Sequence, residues 1–545
     1  MAIKEFRIFG PPGTGKTTFL AQQMENAAKR YGSDNVVVAS FTRAAASEIA
    51  GRGVPINRDN VGTLHALCYR GLDRPTLAET RSEEWNEEYP HYEITGTGET
   101  ALDEGGSYAG DKKGEELYRQ VQSYRARRVP EEAWSMQARG FSHRWEGWKR
   151  DCGYLDFTDL IERGLDFLPT APGKPEVGFF DEVQDFTLLE LDLVRKWLHT
   201  MEYGLLAGDD DQAIYQFKGA EPDAFLDPPI DDEFKRVLSR SYRVPRKIQR
   251  LAETWVSQVA RREEKHYEPR DVDGRILIRG RATWKNPGAA VDLVEEFIGA
   301  GQSVMVLASC GYMLGPAIRA LRQRAIPFFN PYARRRGDWN PLQAGSKGRT
   351  MPAERVVAFT LPQVSEWGDA ARMWTADDVN KWASYLSAKG CLIRGAKKEI
   401  QGLSDDTVEV PITDLLGWFE PEALDRALAG DLEWYLDAMM ETKKNAMGYP
   451  IKIALQRGAR TLVQTPKVIV GTGHSVKGGE ADAVIMFPDF STAGAKERST
   501  RRGRDAMVRL FYVMITRARE TLVLCRAAGT EYAEIGDKLK EAGLL

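Results

Sequence analysis

The sequence predicts an α/β protein of two parallel-sheet units, each interrupted by a mostly helical insertion. Three observations carry this expectation. A strand-like run, Phe6 to Phe9, leads through a Gly-rich loop into a helix-like stretch from Lys16. Apolar strand-like runs then alternate with helix-like stretches, the pattern of a parallel sheet with helical crossovers. The same alternation starts afresh after residue 235. The first unit is expected over residues 1–74 and 151–234, with the insertion 75–150. The second is expected over 235–332 and 463–545, with the insertion 333–462.

The loop is Gly10-Pro11-Pro12-Gly13-Thr14-Gly15-Lys16-Thr17, with the G-x-x-x-x-G-K-T spacing of a phosphate-binding loop. Glycines let successive backbone N–H groups turn inward on an anion. The following helix adds the positive end of its dipole. Lys16 is placed to reach the β and γ phosphates, and Thr17 to offer its hydroxyl to Mg²⁺. The run 36–41 reads as a second buried strand opening into an alanine-rich helix. Val61 to Cys68 again passes from extended chain into helix.

Residues 75–150 break this rhythm with acidic runs, a Gly-rich patch at Gly105-Gly106 and basic helix-like sequence. Trp134, Trp145 and Trp148 are read as core. The sheet resumes at Val177-Gly178-Phe179-Phe180, followed by Asp181-Glu182. An apolar strand ending in two acids is the expected companion of a phosphate loop. One carboxylate stands beside the metal and the next can polarise the attacking water. Tyr203 to Gly208 is a further strand, leading to Gln212, Tyr215 and Phe217. An amide there can sense the γ phosphate, and exposed aromatics can stack on bases.

In the second unit, Val237 to Arg243, Arg275 to Ile278 and Ser303 to Leu307 are strand-like, with helices over 288–300 and 312–324. A basic, turn-rich entry from Arg334 opens the second insertion. Strands return at Lys467 to Val470 and Ala483 to Phe487. Residues 491–505 read as a basic loop, 509–519 as a helix, and Thr521 to Cys525 as the last strand.

Composition narrows the class. Hydrophobic residues make up 42% and charged residues 28%, the balance of a soluble globular protein. No apolar run reaches the roughly 18 residues of a membrane span, and the N-terminus has no signal-peptide pattern, so no membrane partner is expected. Five cysteines without C-x-x-C argue against a disulfide framework or zinc site and suit the cytoplasm. The net charge of −4 means a nucleic acid would need a local basic groove.

The motifs GPPGTGKT, SFTRAAASEIA, GTLHALCYR, YLDFTDLI, FFDEVQD, GDDDQAIYQFKGA, SYR, GTGHSVKGGEADAV and RLFYVMITRAR follow one another from residue 10 to residue 524. In this order they resemble the UvrD/PcrA/Rep type of superfamily 1 DNA helicase. The resemblance implies two RecA-like motor domains, ATP and Mg²⁺ as cofactors, and 3′–5′ movement on single-stranded DNA up to duplex junctions. It implies service in DNA repair, replication or recombination, and a monomer is expected. Gly10, Pro11, Pro12, Gly13, Thr14, Gly15, Lys16, Thr17 and Thr18 would hold the nucleotide, with Thr17 and Asp181 on the metal. Glu182 would be the catalytic base and Gln212 the γ-phosphate sensor. Arg243 and Arg517 would be the cations of the second domain, with Tyr242 stacked on adenine and Glu480 on the ribose. Phe41, Thr42, Thr63, His65, Tyr215, Phe217 and His474 match positions that contact single-stranded DNA.

The chain departs from the family pattern in places. Nine residues precede Gly10 and none is glutamine, so adenine recognition is expected to rest on Tyr242 rather than an upstream glutamine motif. Arg43 stands for the usual asparagine, Gly479 for a usual leucine, and Gln216 is atypical. The chain is shorter than typical members and is read as lacking their C-terminal tail. Two alternatives stand beside the helicase: a translocase that strips proteins from single strands, and an ATP-dependent DNA-binding switch that does not move.

Overall fold

The computed structural model describes residues 5–41, 55–96, 112–333, 336–342, 350–363 and 371–544. Two six-stranded sheets dominate it. The first contains β1 (Glu5–Phe9), β2 (Val36–Ser40), β3 (Val61–Gly62), β4 (Val177–Asp181), β5 (Tyr203–Gly208) and β6 (Lys235–Val237). Their order is β3-β2-β4-β5-β1-β6. A small parallel pair follows, β7 (Arg240–Pro245) and β8 (Glu268–Arg270). The second sheet contains β9 (Arg275–Arg279), β10 (Val304–Ala308), β11 (Phe328–Phe329), β12 (Val468–Thr472), β13 (Ala481–Met486) and β14 (Ala518–Cys525). Its order is β11-β12-β10-β13-β14-β9. All pairings in both sheets are parallel.

Helices cover both faces of a parallel sheet, so its strands carry unbroken apolar runs. Val36, Val37, Val38 and Ala39 are all fully buried, as are Phe179 and Phe180 of β4. Val304 to Ala308 repeats this in the second sheet. The α/β class and the two parallel sheets agree with the sequence reading.

Two local expectations are corrected. Residues 235–237, assigned to the second unit, pair with β1 and extend the first sheet. The stretch 491–505, read as a loop, is helical over Thr492–Glu497 and again from Arg501, where a helix runs to Ile515. Each helix starts at a hydroxyl cap: Ser491 Oγ accepts from Gly494 N at 2.9 Å, and Thr500 Oγ1 from Gly503 N at 3.1 Å. The Gly105-Gly106 patch and Arg334 lie outside the described residues. Among the described residues no helix is long and apolar enough to cross a membrane.

Both insertions are mostly helical and are built on aromatic cores. In the first, Trp85 and Trp145 meet edge to face at 5.0 Å, and Trp148 and Phe141 join them. In the second, Phe359 stacks on Tyr435 at 4.1 Å and Trp382 on Phe419 at 5.1 Å. An ion network fastens the first insertion to the helix Phe157–Phe167. Lys149 Nζ lies 2.7 Å from Asp156 and 2.5 Å from Asp159, and Arg125 reaches Asp156 at 2.8 Å and Glu162 at 2.6 Å. Asp156 and Lys149 are buried, and Trp145 Nε1 also donates to Asp156, at 2.8 Å. Removing one partner of a buried pair strands the other charge. Lys149→Met is therefore expected to destabilise the protein by about 3 kcal/mol or more, read from urea unfolding.

Candidate nucleotide and nucleic-acid site

The loop Gly10–Gly15 leaves the carboxyl end of β1, where ligands of parallel sheets bind. Gly13 and Gly15 have φ of +73° and +76°, left-handed values that glycine adopts without strain. Thr14 closes the turn, donating from both N and Oγ1 to Pro11 O. The helix Lys16–Tyr31 begins with no side-chain cap and no acid in its first turn, which suits an anion. Lys16 Nζ lies 2.5 Å from Glu182 Oε1 and 3.0 Å from Asp181 Oδ1. Both carboxylates come from the end of β4. Glu182 sits in the left-handed region at φ +57°, a strained backbone for a residue with a side chain.

The second unit closes on this loop. Tyr242 N donates to Gly13 O at 2.8 Å and Ser241 Oγ to Pro12 O at 2.7 Å. A Cβ on Gly13 would lie 2.4 Å from Arg243 Cβ, so glycine is what lets β7 approach. Arg243 Nε donates to Glu480 Oε2 at 2.6 Å, and Arg519 lies 3.2 Å from the other oxygen. Tyr242 is 68% exposed. Arg517 is buried and donates to Gln212 Oε1 at 3.0 Å and Gly479 O at 3.1 Å.

Electrostatics at this junction are mutually compensated. Burial opposes ionisation of Glu182, but Lys16 and Lys477 outweigh it and hold the carboxyl down to about 2. Burial raises Asp181, and Glu182 adds to this against the pull of Lys16. Asp185 is pushed up to about 6 by burial and Glu182, with Lys477 opposing. Burial and then neighbouring Arg243 lower Arg517 to about 9. Asp181 and Thr17 offer only hard oxygen donors, which fits Mg²⁺ rather than a softer ion.

The nucleic-acid candidates divide. Phe41, Tyr215, Phe217 and His474 gather into one cluster drawn from both units. Phe41 stacks on Tyr215 at 5.3 Å, and Phe217 meets His474 edge-on at 5.3 Å. Lys218 Nζ stands 4.8 Å from the Tyr215 ring centre. Tyr215, expected to be exposed, is buried because Phe41 and His474 pack around it; Phe217 is exposed. Thr63 caps the helix Leu64–Gly71 by accepting from Ala66 N. His65 rests edge-on to Phe157 at 6.0 Å and 3.6 Å from Glu190. Thr42 lies outside the described residues.

Residues 3–231 match the model of the UvrD/REP helicase N-terminal domain, and residues 467–525 that of the UvrD-like helicase C-terminal domain. Together they span more than half of the chain. The chain belongs to the UvrD/Rep helicase family. YjcD of Bacillus subtilis (strain 168), a protein named as an ATP-dependent DNA helicase, is 24% identical over 247 residues, covering 40% of this chain and 32% of YjcD. A protein of Carboxydothermus hydrogenoformans, named as one component of an ATP-dependent helicase/nuclease, is 32% identical over 113 residues, 19% of this chain and 10% of that protein. The protein of the same name from Alkaliphilus metalliredigens is 31% identical over 94 residues, 16% and 8% of the two chains. The matched stretches thus span a third or less of these relatives.

Two features of this UvrD/Rep-family chain escaped the sequence reading. Lys477 of the second unit pairs with Asp185, donates to Gln212 O at 2.8 Å and lies 3.8 Å from Glu182. Its place just after His474 was the available signal. Tyr332 covers Gly479, where a Cβ would fall 2.6 Å from the tyrosine hydroxyl. A side chain at 479 would have to displace this exposed ring.

His474 is buried, and burial with Lys218 and Lys477 lowers its pKa to about 4. On acidification the unfolded chain takes up this proton first. The stability tied to a neutral His474 is full above the unfolded value near 6.5 and is lost as pH falls toward 4. From pH 7 to pH 5 this one group is expected to remove about 2 kcal/mol. Comparing denaturant unfolding of the native chain and His474→Asn at both pH values measures it.

Proposed function

We propose that this chain is an ATP-dependent DNA helicase that hydrolyses ATP in the cleft between its two units and moves 3′ to 5′ along single-stranded DNA. The observation that carries the reading is the convergence of both units on the phosphate loop. Lys16, Asp181, Glu182 and Gln212 come from one unit, and Arg243, Glu480 and Arg517 from the other, with Gln212 and Arg517 joined at 3.0 Å. The names of the relatives and the family support it. The direction of travel rests on the family resemblance.

On this reading Lys16 leaves its carboxylates for the β and γ phosphates. Asp181 and Thr17 would hold Mg²⁺, which would neutralise phosphoryl oxygens. Loss of Lys16 as a partner raises the proton affinity of Glu182, so it becomes a general base once the nucleotide is in place. Arg517, a buried cation beside another cation, gains by meeting an anion, as does Arg243 on exchanging Glu480 for phosphate. The exposed Tyr242 side chain, with Arg240 5.8 Å from its ring centre, is offered to a base. The aromatic cluster with Lys218 and Lys477 suits a sequence-blind single strand, because every base presents a π face.

Lys16→Ala is expected to abolish ATP hydrolysis stimulated by single-stranded DNA, measured as phosphate release. The native chain is expected to unwind a duplex with a 3′ tail and not one with a 5′ tail. Exclusive unwinding from 5′ tails would reject the direction. ATP-dependent DNA binding without stimulated turnover would reject the motor.

A further inference from the structure

After β5 the first unit carries three consecutive aspartates, Asp209, Asp210 and Asp211, exposed by 1%, 0% and 0%. Three adjacent buried carboxylates are costly unless each finds a cation or donor. The partners come from the segment 257–267, which follows the helix Arg246–Val256 of the second unit. Lys265 Nζ lies 3.0 Å from Asp209 Oδ1 and 2.8 Å from Asp211 Oδ2, and it also bonds Asp210. Arg262 grips Asp211 with two bonds, of 2.8 and 2.6 Å. Glu263 N donates to Asp210 Oδ2 at 3.0 Å.

The segment is itself fixed to the second unit. Arg509 donates to Arg261 O at 3.2 Å, and Ala260 N to Asp505 Oδ1 at 3.4 Å. Both partners belong to the helix Arg501–Ile515, which ends just before Arg517. The basic segment and Arg517 are therefore both attached to this helix.

Asp209 divides its carboxylate. Oδ1 meets Lys265, and Oδ2 accepts from Gln212 Nε2 at 2.7 Å. On its other side Gln212 Oε1 accepts from Arg517 at 3.0 Å. A carboxylate only accepts and a guanidinium only donates, so these two neighbours admit one orientation of the Gln212 amide. Asp209 takes one of the two Nε2 hydrogens and leaves the other for an acceptor in the cleft.

We propose that Asp209, held by Lys265 of the facing unit, is a positioning residue for Gln212, so that the clasp of Lys265 and Arg262 on the aspartate run sets the amide for the closed cleft. This rests on the helicase reading above, with Gln212 as phosphate sensor. Without Asp209 the amide keeps only the Arg517 contact and can swing about it, so its donor is no longer fixed toward a phosphate.

The test compares Asp209→Ala, Gln212→Ala and the double variant, with Asp209→Asn and Lys265→Met as variants that keep shape. Steady-state ATP hydrolysis at saturating single-stranded DNA gives kcat and KM, and melting curves report folding. Asp209→Ala is expected to lower kcat about tenfold with KM for ATP within about twofold, and Lys265→Met, which strands the three aspartates, to lower the melting temperature as well as kcat. The double variant is expected to be no slower than Gln212→Ala alone, because the two residues act through one group. Losses that multiply in the double variant, or an unchanged kcat in Asp209→Ala while Gln212→Ala is impaired, would overturn the proposal and leave the helicase reading standing. Native turnover in Gln212→Ala would reject the sensor role and this proposal with it. A fall in apparent kcat that only tracks the folded fraction in every variant, with KM unchanged, would mark Asp209 as merely structural.

Discussion

The closed cleft depends on carboxylates of the first unit being neutralised by cations of the second. Asp185, Asp210 and Asp211 are each 1% exposed or less, and they meet Lys477, Lys265 and Arg262 across the junction. An unpaired buried carboxylate costs several kcal/mol, so the first unit cannot bury these strand ends alone at neutral pH without a proton or a partner. Packing between the two sheets and the charge state of the site are thus one problem. The phosphate loop adds a steric condition, since only a glycine at 13 lets Arg243 come so near.

The same compensation sets the terms on which an anion can bind. Lys16 balances Asp181 and Glu182, and Arg243 balances Glu480. A triphosphate entering the proposed site replaces existing ion pairs rather than filling uncompensated charge. Its binding energy is then a difference between two sets of pairs, and the freed carboxylates are the groups assigned to metal and water. The left-handed backbone of Glu182 fits this picture. Glu182 N donates to Asp181 Oδ1 at 2.9 Å, and Gln184 Nε2 holds its carboxylate at 2.5 Å, so neighbours fix a conformation the residue would not choose.

The parallel sheets were legible because burial on both faces writes unbroken apolar runs such as Val36 to Ala39. The loop Gly10 to Thr17 was legible because phosphate binding needs glycine and lysine at fixed spacing. Three kinds of feature were not. Lys235 to Val237 is too short and too basic to announce which sheet it joins; only its register with Arg7 to Phe9 decides that. Helices after Ser491 and Thr500 depend on single hydroxyl caps inside a polar stretch with no apolar period. Lys265 and Arg262 lie more than fifty residues from their aspartates, in irregular chain, where nothing local marks a partner. Exposure also failed for Tyr215, because its neighbours Phe41 and His474 are brought in from distant sequence.

The nucleotide and nucleic-acid candidates share two short segments, and this bears on how they can communicate. Gln212 and Tyr215 are three residues apart, a span of at most about 11 Å. His474, Lys477 and Glu480 occupy one loop between β12 and β13. Lys477 stands on both sides at once, donating to Gln212 O at 2.8 Å while lying 5.2 Å from the Tyr215 ring centre. Tyr215 Oη in turn donates to His474 O at 3.3 Å. A displacement of the second unit large enough to break Lys477 from Gln212 must also change what faces Tyr215. Coupling here needs no long chain of packed residues, because each segment carries a group for either ligand and the two segments touch.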